Sequence, residues 1–374
     1  MTLAEFHSHL LPRLRAEIAQ LFPAYFALVM ATGIVSIGAY QLGMPMAAQV
    51  LFGFNKTAYL ILWLMLLLRL IFYSDRFLRD ISDHARSPGF LTVVAATNVL
   101  GSQYAIIAED PGPARWLYYL GFALYVAIIY FFFVMITVKR GKPTLEMGIN
   151  GVWLLMVVST QSVVVLGTQL ADVLFISKEA ALFISMLLFF IGCMLYIIVI
   201  TLIFYRLTFF EMRAEECAPP FWISMGAVAI TTLAGATLIN AASQWELLGS
   251  LKQFITGLTL LFWGFGTWWI PIIIVLGMWR HLYRLIPMSY HPQYWGMVFP
   301  IGMYTVCTYR LAQALELHFL LPIPQALVYM SLFAWATVMT MWLRLTLENS
   351  LSFTSKRASH EHALHHHRDP AHTS

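Results

Sequence analysis

The sequence predicts an all-α polytopic membrane protein of ten transmembrane helices, arranged as five helical hairpins. Three observations predict it: an apolar excess, ten separate runs of membrane-spanning length, and a recurrence of hairpin-sized units. Of 374 residues, 60% are hydrophobic and 11% are charged, an apolar share well above that of an average soluble domain. So large an apolar surface calls for an apolar solvent.

The ten runs cover approximately residues 22–42, 56–74, 89–108, 116–138, 148–170, 180–205, 220–242, 254–279, 294–314 and 324–343. Runs of roughly 20 residues match a hydrocarbon layer of about 30 Å at the helical rise. Barrel strands would be about half as long and would alternate polar with apolar residues, so helices are preferred. The breaks are short and carry Pro, Gly and charge, which leaves one membrane domain, residues 22–347, between an N-terminal cytoplasmic segment, 1–21, and a disordered His-rich tail, 348–374.

The first segment has no small-residue cleavage site after an apolar core, so no removed signal peptide is expected. Arg13, Arg15 and Glu17 with Leu10, Leu11 and Leu14 suit a short interfacial helix. In the tail, His360, His362, His365, His366, His367 and His372 suit a polar terminus, with divalent-metal binding as the competing reading. Cys193, Cys217 and Cys307 are odd in number and far apart, and suggest neither disulfides nor a metal motif. No metal site and no cofactor is expected.

Ten crossings from a cytoplasmic start place 17 of the 22 Lys and Arg residues inside. Only Lys56, Arg115, Lys178, Lys252 and Arg310 fall on the other side. The positive-inside rule then puts both termini in the cytoplasm. Topology thus accounts for the net charge of +4, and nucleic-acid binding is not expected.

An aromatic residue stands near the start of each odd run: Phe22, Phe90, Trp153, Trp222 and Trp295, spaced 68, 63, 69 and 73 residues apart. Odd runs are the richer in Gly, Ser, Thr, Asn and Gln, whereas the second and fourth are greasy all round. The eighth run, with its own small and polar residues, blurs this pattern. Polar groups return at helical spacing, as in Thr32 with Ser36, or Ser224 with Thr231 and Gly235. Two explanations fit. Small and polar residues let buried helices pack closely and hydrogen-bond, or five inner helices surround a polar pathway that five outer helices shield. The second reading makes Thr32, Ser36, Thr97, Asn98, Thr160, Thr231 and Gly302 candidate pore-lining residues.

No Asp, Glu or His lies in the middle of a run. Ionisable groups at that depth usually mark proton relays or cation sites, so cation pumping is not expected. An embedded enzyme's paired carboxylates and a phosphate-binding P-loop are missing too. A lining of hydroxyls and amides without fixed negative charge tolerates anions. Arg310 is the one positive candidate, drawing anions to the outer mouth or, alternatively, snorkelling to headgroups. Eleven residues before it, about 16 Å away on an ideal helix, stands Phe299, on nearly the same face. Phe299 precedes Pro300, whose missing N–H suits a hinge. A phenyl ring there can plug a narrow pore by excluding water, or it is one packing residue among 27 phenylalanines.

The stretches HPQYWGMVFPIGMYTVCTYRLAQAL from His291, FPAYFALVMATGIVSI from Phe22 and WGFGTWWIPIIIVLGMWR from Trp263 resemble the family of slow-type anion channels, tellurite-resistance protein A and dicarboxylate transporters, also called the voltage-dependent anion channel family. The similarity spreads over residues 20–345. It implies five hairpins with odd helices around a pore in each subunit, a homotrimer, and a ninth-span phenylalanine that occludes the pore, matched here by Phe299. Small inorganic anions or dicarboxylates and the lipid bilayer are the partners it implies, with the bacterial inner membrane as location. The expected function is therefore passage of small anions past a phenylalanine gate. A secondary carrier for malate-like dicarboxylates, efflux linked to tellurite or sulfite tolerance, and a receptor or scaffold without transport are the alternatives.

Overall fold

The computed structural model describes residues 14–214 and 219–366, with side chains for 14–214 and 221–348. Ten long helices succeed one another: α1 (Ala27–Gln41), α2 (Pro45–Phe72), α3 (Leu91–Ile106), α4 (Pro111–Val138), α5 (Leu155–Gln169), α6 (Lys178–Phe209), α7 (Ile223–Ala241), α8 (Lys252–Met278), α9 (Trp295–Ala314) and α10 (Pro322–His366). Among the described residues there is no strand. Of these ten helices, nine are long and apolar enough to cross a membrane. The exception is α9, at 20 residues, where Pro300, Gly302, Tyr304, Thr305, Thr308 and Arg310 dilute the apolar content.

Each odd helix opens with a 3-10 turn: Pro23–Phe26, Ser87–Phe90, Gly151–Leu154, Pro219–Trp222 and Pro292–Tyr294. Proline suits these starts because its missing N–H falls where no intrahelical partner exists. The recurring aromatics of the sequence lie in these turns or directly beside them.

The odd helices form a closed ring in which α1 packs on α3, α3 on α5, α5 on α7, α7 on α9 and α9 again on α1. Each even helix lies against its own odd partner and leans on the next odd helix. Burial separates the two rings. Between 78% and 94% of the most apolar stretch is buried in α1, α3, α5 and α7, against 22% to 39% in the even helices. In α9, 15 of 20 residues are buried. Outer helices turn residues such as Leu60, Leu64, Ile71 and Tyr130 outward, where lipid replaces water at no hydrophobic cost.

An aromatic side chain of every outer helix hydrogen-bonds the following inner helix. The Tyr59 hydroxyl lies 2.9 Å from Thr97 Oγ1 and the Tyr125 hydroxyl 3.1 Å from Thr160 Oγ1. Tyr196 donates to Ser224 O at 3.3 Å, Trp263 Nε1 to Thr308 Oγ1 at 3.1 Å, and Trp335 Nε1 to Thr32 Oγ1 at 2.9 Å. The last of these closes the circle from α10 back to α1. Each of these bonds gives a polar group of the inner helix a partner on its outward side without water, which lipid cannot supply, while Gln103 Nε2, Gln161 Oε1 and Ser224 Oγ are buried without one.

Glycines bring hairpin partners close. A Cβ on Gly121 of α4 would overlap the Asn98 amide, and one on Gly192 of α6 would overlap the Gln161 amide, whose Nε2 donates to Phe189 O at 3.1 Å. At the end of α2, buried Arg69 donates from Nη1 to Leu21 O at 2.7 Å and pairs with Asp80, which Arg86 Nε also approaches at 3.2 Å. This cluster ties the segment before α1 to the short helix Ser74–Ile81 and the turn that opens α3.

Residues 14–19 are helical and bury Ile18 and Ala19; Arg13, Leu10 and Leu11 of the expected interfacial helix lie outside the described residues. The final helix runs on past residue 347 to His366, so the span and the first part of the tail are continuous. Residues 367–374 and the side chains of the tail histidines lie outside the described residues. Cys193 and Cys307 are buried and unpaired, and Cys217 is not among the described residues.

Gly192→Leu is expected to destabilise the fold by about 1 to 3 kcal/mol through overpacking. Gly264→Leu, at a site with open space around it, is expected to leave stability unchanged. Thermal melting in detergent compares the two, and equal melting temperatures would contradict the close α5–α6 approach.

Candidate functional site

Two cavities lie in succession inside the ring, and all five inner helices or their opening turns wall each of them. The first meets Ile34, Ile37 and Gln41 of α1, Asn98, Val99, Ser102 and Ile106 of α3, and Ser162, Val165 and Gln169 of α5. Ile230 and Leu233 of α7 and Met303, Val306 and Arg310 of α9 complete it. The second lies toward the opening turns and is walled mainly by apolar groups, among them Met30, Leu155, Ile223 and Phe299, with Thr92 and Gln293 its polar members.

One stripe per helix serves both cavities. On α9 it reads Gly296, Phe299, Met303, Val306, Arg310, and on α1 Ala27, Met30, Ile34, Ile37, Gln41. These steps of three and four residues keep side chains on one helical face. Phe299 and Met30 are the last members of their stripes to face the second cavity; Met303 and Ile34 are the first to face the other. The division between the cavities therefore falls at Phe299 and Met30, each 1% exposed.

Helix α9 passes through Pro300 without a break, and the proline ring fits the space left by Gly226 of α7, where a Cβ would meet Cγ at 2.8 Å.

The predicted site residues separate cleanly. Asn98, Arg310 and Phe299 reach cavity walls, and Phe299 shares its stripe with Arg310 as the 11-residue spacing requires. Six others do not wall either cavity. Thr32, Thr97 and Thr160 meet the outer-ring aromatics described above. Ser36 donates to Ala48 O at 2.7 Å and Thr231 to Ala227 O at 2.8 Å. Gly302 lies against α1, where a Cβ would meet Ile34 Cγ2 at 2.9 Å and Val35 Cγ2 at 3.1 Å. For these residues the packing explanation holds: they satisfy hydroxyls locally or let helices approach.

Sequence reasoning missed Gln41, Ser102, Ser162 and Gln169, all walls of the first cavity. Ser102 is one turn beyond Asn98, and Asn98 Nδ2 donates to Ser162 Oγ at 3.1 Å. The full i, i+4, i+8 row of Asn98, Ser102 and Ile106 was the available signal.

Among the described residues, no carboxylate walls either cavity, and Arg310 is their one charged wall residue. At the far mouth of the second cavity, Phe22 stacks edge-on with His291 at 5.5 Å, and the Arg86 guanidinium sits 5.9 Å from the same ring. Burial lowers the His291 pKa below its ordinary value, and the Arg86 guanidinium near it also pairs with Asp80 at 3.2 Å.

A closed helix ring with an acid-free interior, enclosed by a greasy second ring, defines a membrane channel or transporter for anions. The chain matches the voltage-dependent anion channel family over residues 20–343 and belongs to it. An uncharacterized membrane protein of Mycobacterium tuberculosis is 35% identical over 141 residues, which is 38% of this chain and 71% of that protein. Two uncharacterized transporters of Methanocaldococcus jannaschii are 24% identical over 328 residues, covering 85% of this chain and 91% of the relative, and 23% identical over 295 residues, covering 76% and 83%.

In a background with its three cysteines replaced by serine, Ser102→Cys and Val306→Cys are expected to react with a water-soluble anionic thiosulfonate. Thr231→Cys and Thr97→Cys are expected to resist it. Equal labelling of all four would contradict the assignment of helix faces.

Proposed function

We propose that this protein lets small anions cross the membrane along the axis of its inner ring, past Phe299 as the gate. The observation that carries the reading is a file of two cavities, built by all five inner helices, with no acidic wall residue and a single guanidinium. An anion leaving water loses hydration worth many kcal/mol. Hydroxyls and amides at Asn98, Ser102 and Ser162 offset part of that loss, and Arg310 attracts the ion without a carboxylate to cancel its charge.

Phe299 stands where the two cavities part, beside Met30. Two apolar side chains at a narrowing exclude water, and an ion cannot pass a dry constriction. Gating then requires the phenyl ring to swing, or the helices to spread, by enough to admit a hydration shell. Positive-inside topology supports cytoplasmic termini, so the Arg310 cavity opens outward and the Phe22 mouth inward, in a bacterial inner membrane. Resemblance to the family supports a homotrimer with one pathway per subunit.

A carrier for malate-like dicarboxylates is the second reading, favoured by one feature: two cavities in succession, divided at Phe299 and Met30, suit alternating access. Saturation and counterflow distinguish a carrier from a channel.

Phe299→Ala is expected to raise anion flux in liposomes on the order of tenfold by opening the dry constriction. Unchanged flux in a folded variant would remove the gate from Phe299.

A further inference from the structure

The first cavity contains a pairing whose geometry says more about the anion. With the Gln41 amide turned oxygen-first, Oε1 accepts from both Nε and Nη2 of Arg310, each at 3.1 Å. Gln41 ends α1 and Arg310 stands in the last two turns of α9, and both are walls of the same cavity. A guanidinium has five N–H donors in a planar fork. Gln41 engages two of them on the side edge, which leaves the end-on edge of Nη1 and Nη2. Among the described residues, no carboxylate lies within 4 Å of Arg310.

A neutral partner is the informative choice. A carboxylate at position 41 would hold the guanidinium equally well and would cancel its charge. The amide fixes the plane of the fork and keeps the full positive charge for whatever enters.

We propose that Gln41 is a positioning residue that presents the end-on edge of Arg310 as a two-point dock for a singly charged oxoanion. The inference rests on the anion-transport reading above and narrows its substrate class. Two parallel N–H groups match two oxygens of a planar nitrate or carboxylate, whereas a halide meets the fork at one point. Arg310 is the single cation on the wall, so the second charge of a dianion would stay uncompensated in a poorly solvated space. The neutral donors deeper in the cavity, Asn98, Ser102 and Ser162, serve one negative charge at a time. A dicarboxylic acid fits this dock only in its singly ionised form.

The test uses the full chain in liposomes with Phe299→Ala as background, and reads the ratio of nitrate to chloride flux. Gln41→Leu, which frees the fork to rotate, and Arg310→Lys, which keeps the charge but not the fork, are each expected to lower that ratio by about threefold or more. Gln41→Glu is expected to lower nitrate flux by pairing with the guanidinium. If Gln41→Leu fails to fold, Arg310→Lys decides alone. A ratio that stays constant in folded Arg310→Lys protein would overturn the dock while leaving anion transport intact. Absence of both fluxes in the folded background would overturn the transport reading, and the dock with it.

Discussion

Everything in this architecture depends on satisfying polar groups where lipid cannot. The inner helices carry Thr, Ser, Asn and Gln at membrane depth, and in hydrocarbon each unsatisfied polar group costs several kcal/mol. The protein meets this constraint in a repeated way. Hydroxyls bond back to carbonyls one turn earlier, as at Thr97, Thr231 and Thr305, and an aromatic O–H or N–H from the outer ring covers the side that would otherwise meet lipid. Those aromatics, Tyr59, Tyr125, Tyr196, Trp263 and Trp335, recur 66, 71, 67 and 72 residues apart. The hairpin is thus the unit of polar satisfaction as well as of topology, and the ring closes because the last outer helix serves the first inner one.

The same constraint shapes the pathway. Groups already bonded on their outward side leave the axial face to a mixture of Ile, Val, Met and a few donors. Such a wall carries few polar groups, which in the proposed function suits passage, because an ion must leave as readily as it enters. In the proposed function the single guanidinium would bias the sign of the ion at one end, and the apolar pair Phe299 and Met30 would decide whether the file is wet. Phe299 and Arg310, to which the proposal gives gating and selection, are separated along α9 by three turns of one stripe.

Much of this was legible in the sequence. Ten apolar runs, their short breaks and the aromatic starts anticipated both rings, because burial of an entire helix and exposure of an entire helix leave different compositions. The 11-residue interval likewise set Phe299 and Arg310 on one face. The threonines stand away from both cavities for a physical reason. An inner helix is enclosed on all sides, so polarity marks buried sites without distinguishing the axis from the outer ring. Thr32, Thr97 and Thr160 are polar because an aromatic donor or hydroxyl needs them. Gly302 is small because α1 passes close by. Gln41, at the very end of its helix, reads as an ordinary boundary residue until α9 brings Arg310 beside it.

The central claim is that negative ions, and no cations, traverse a single subunit along the inner ring. Reversal potential under a potassium chloride gradient across a planar bilayer, with the Phe299→Ala protein inserted, tests it most directly. The account predicts reversal near the chloride equilibrium potential. Reversal near the potassium potential, or no current from correctly folded protein, would contradict it.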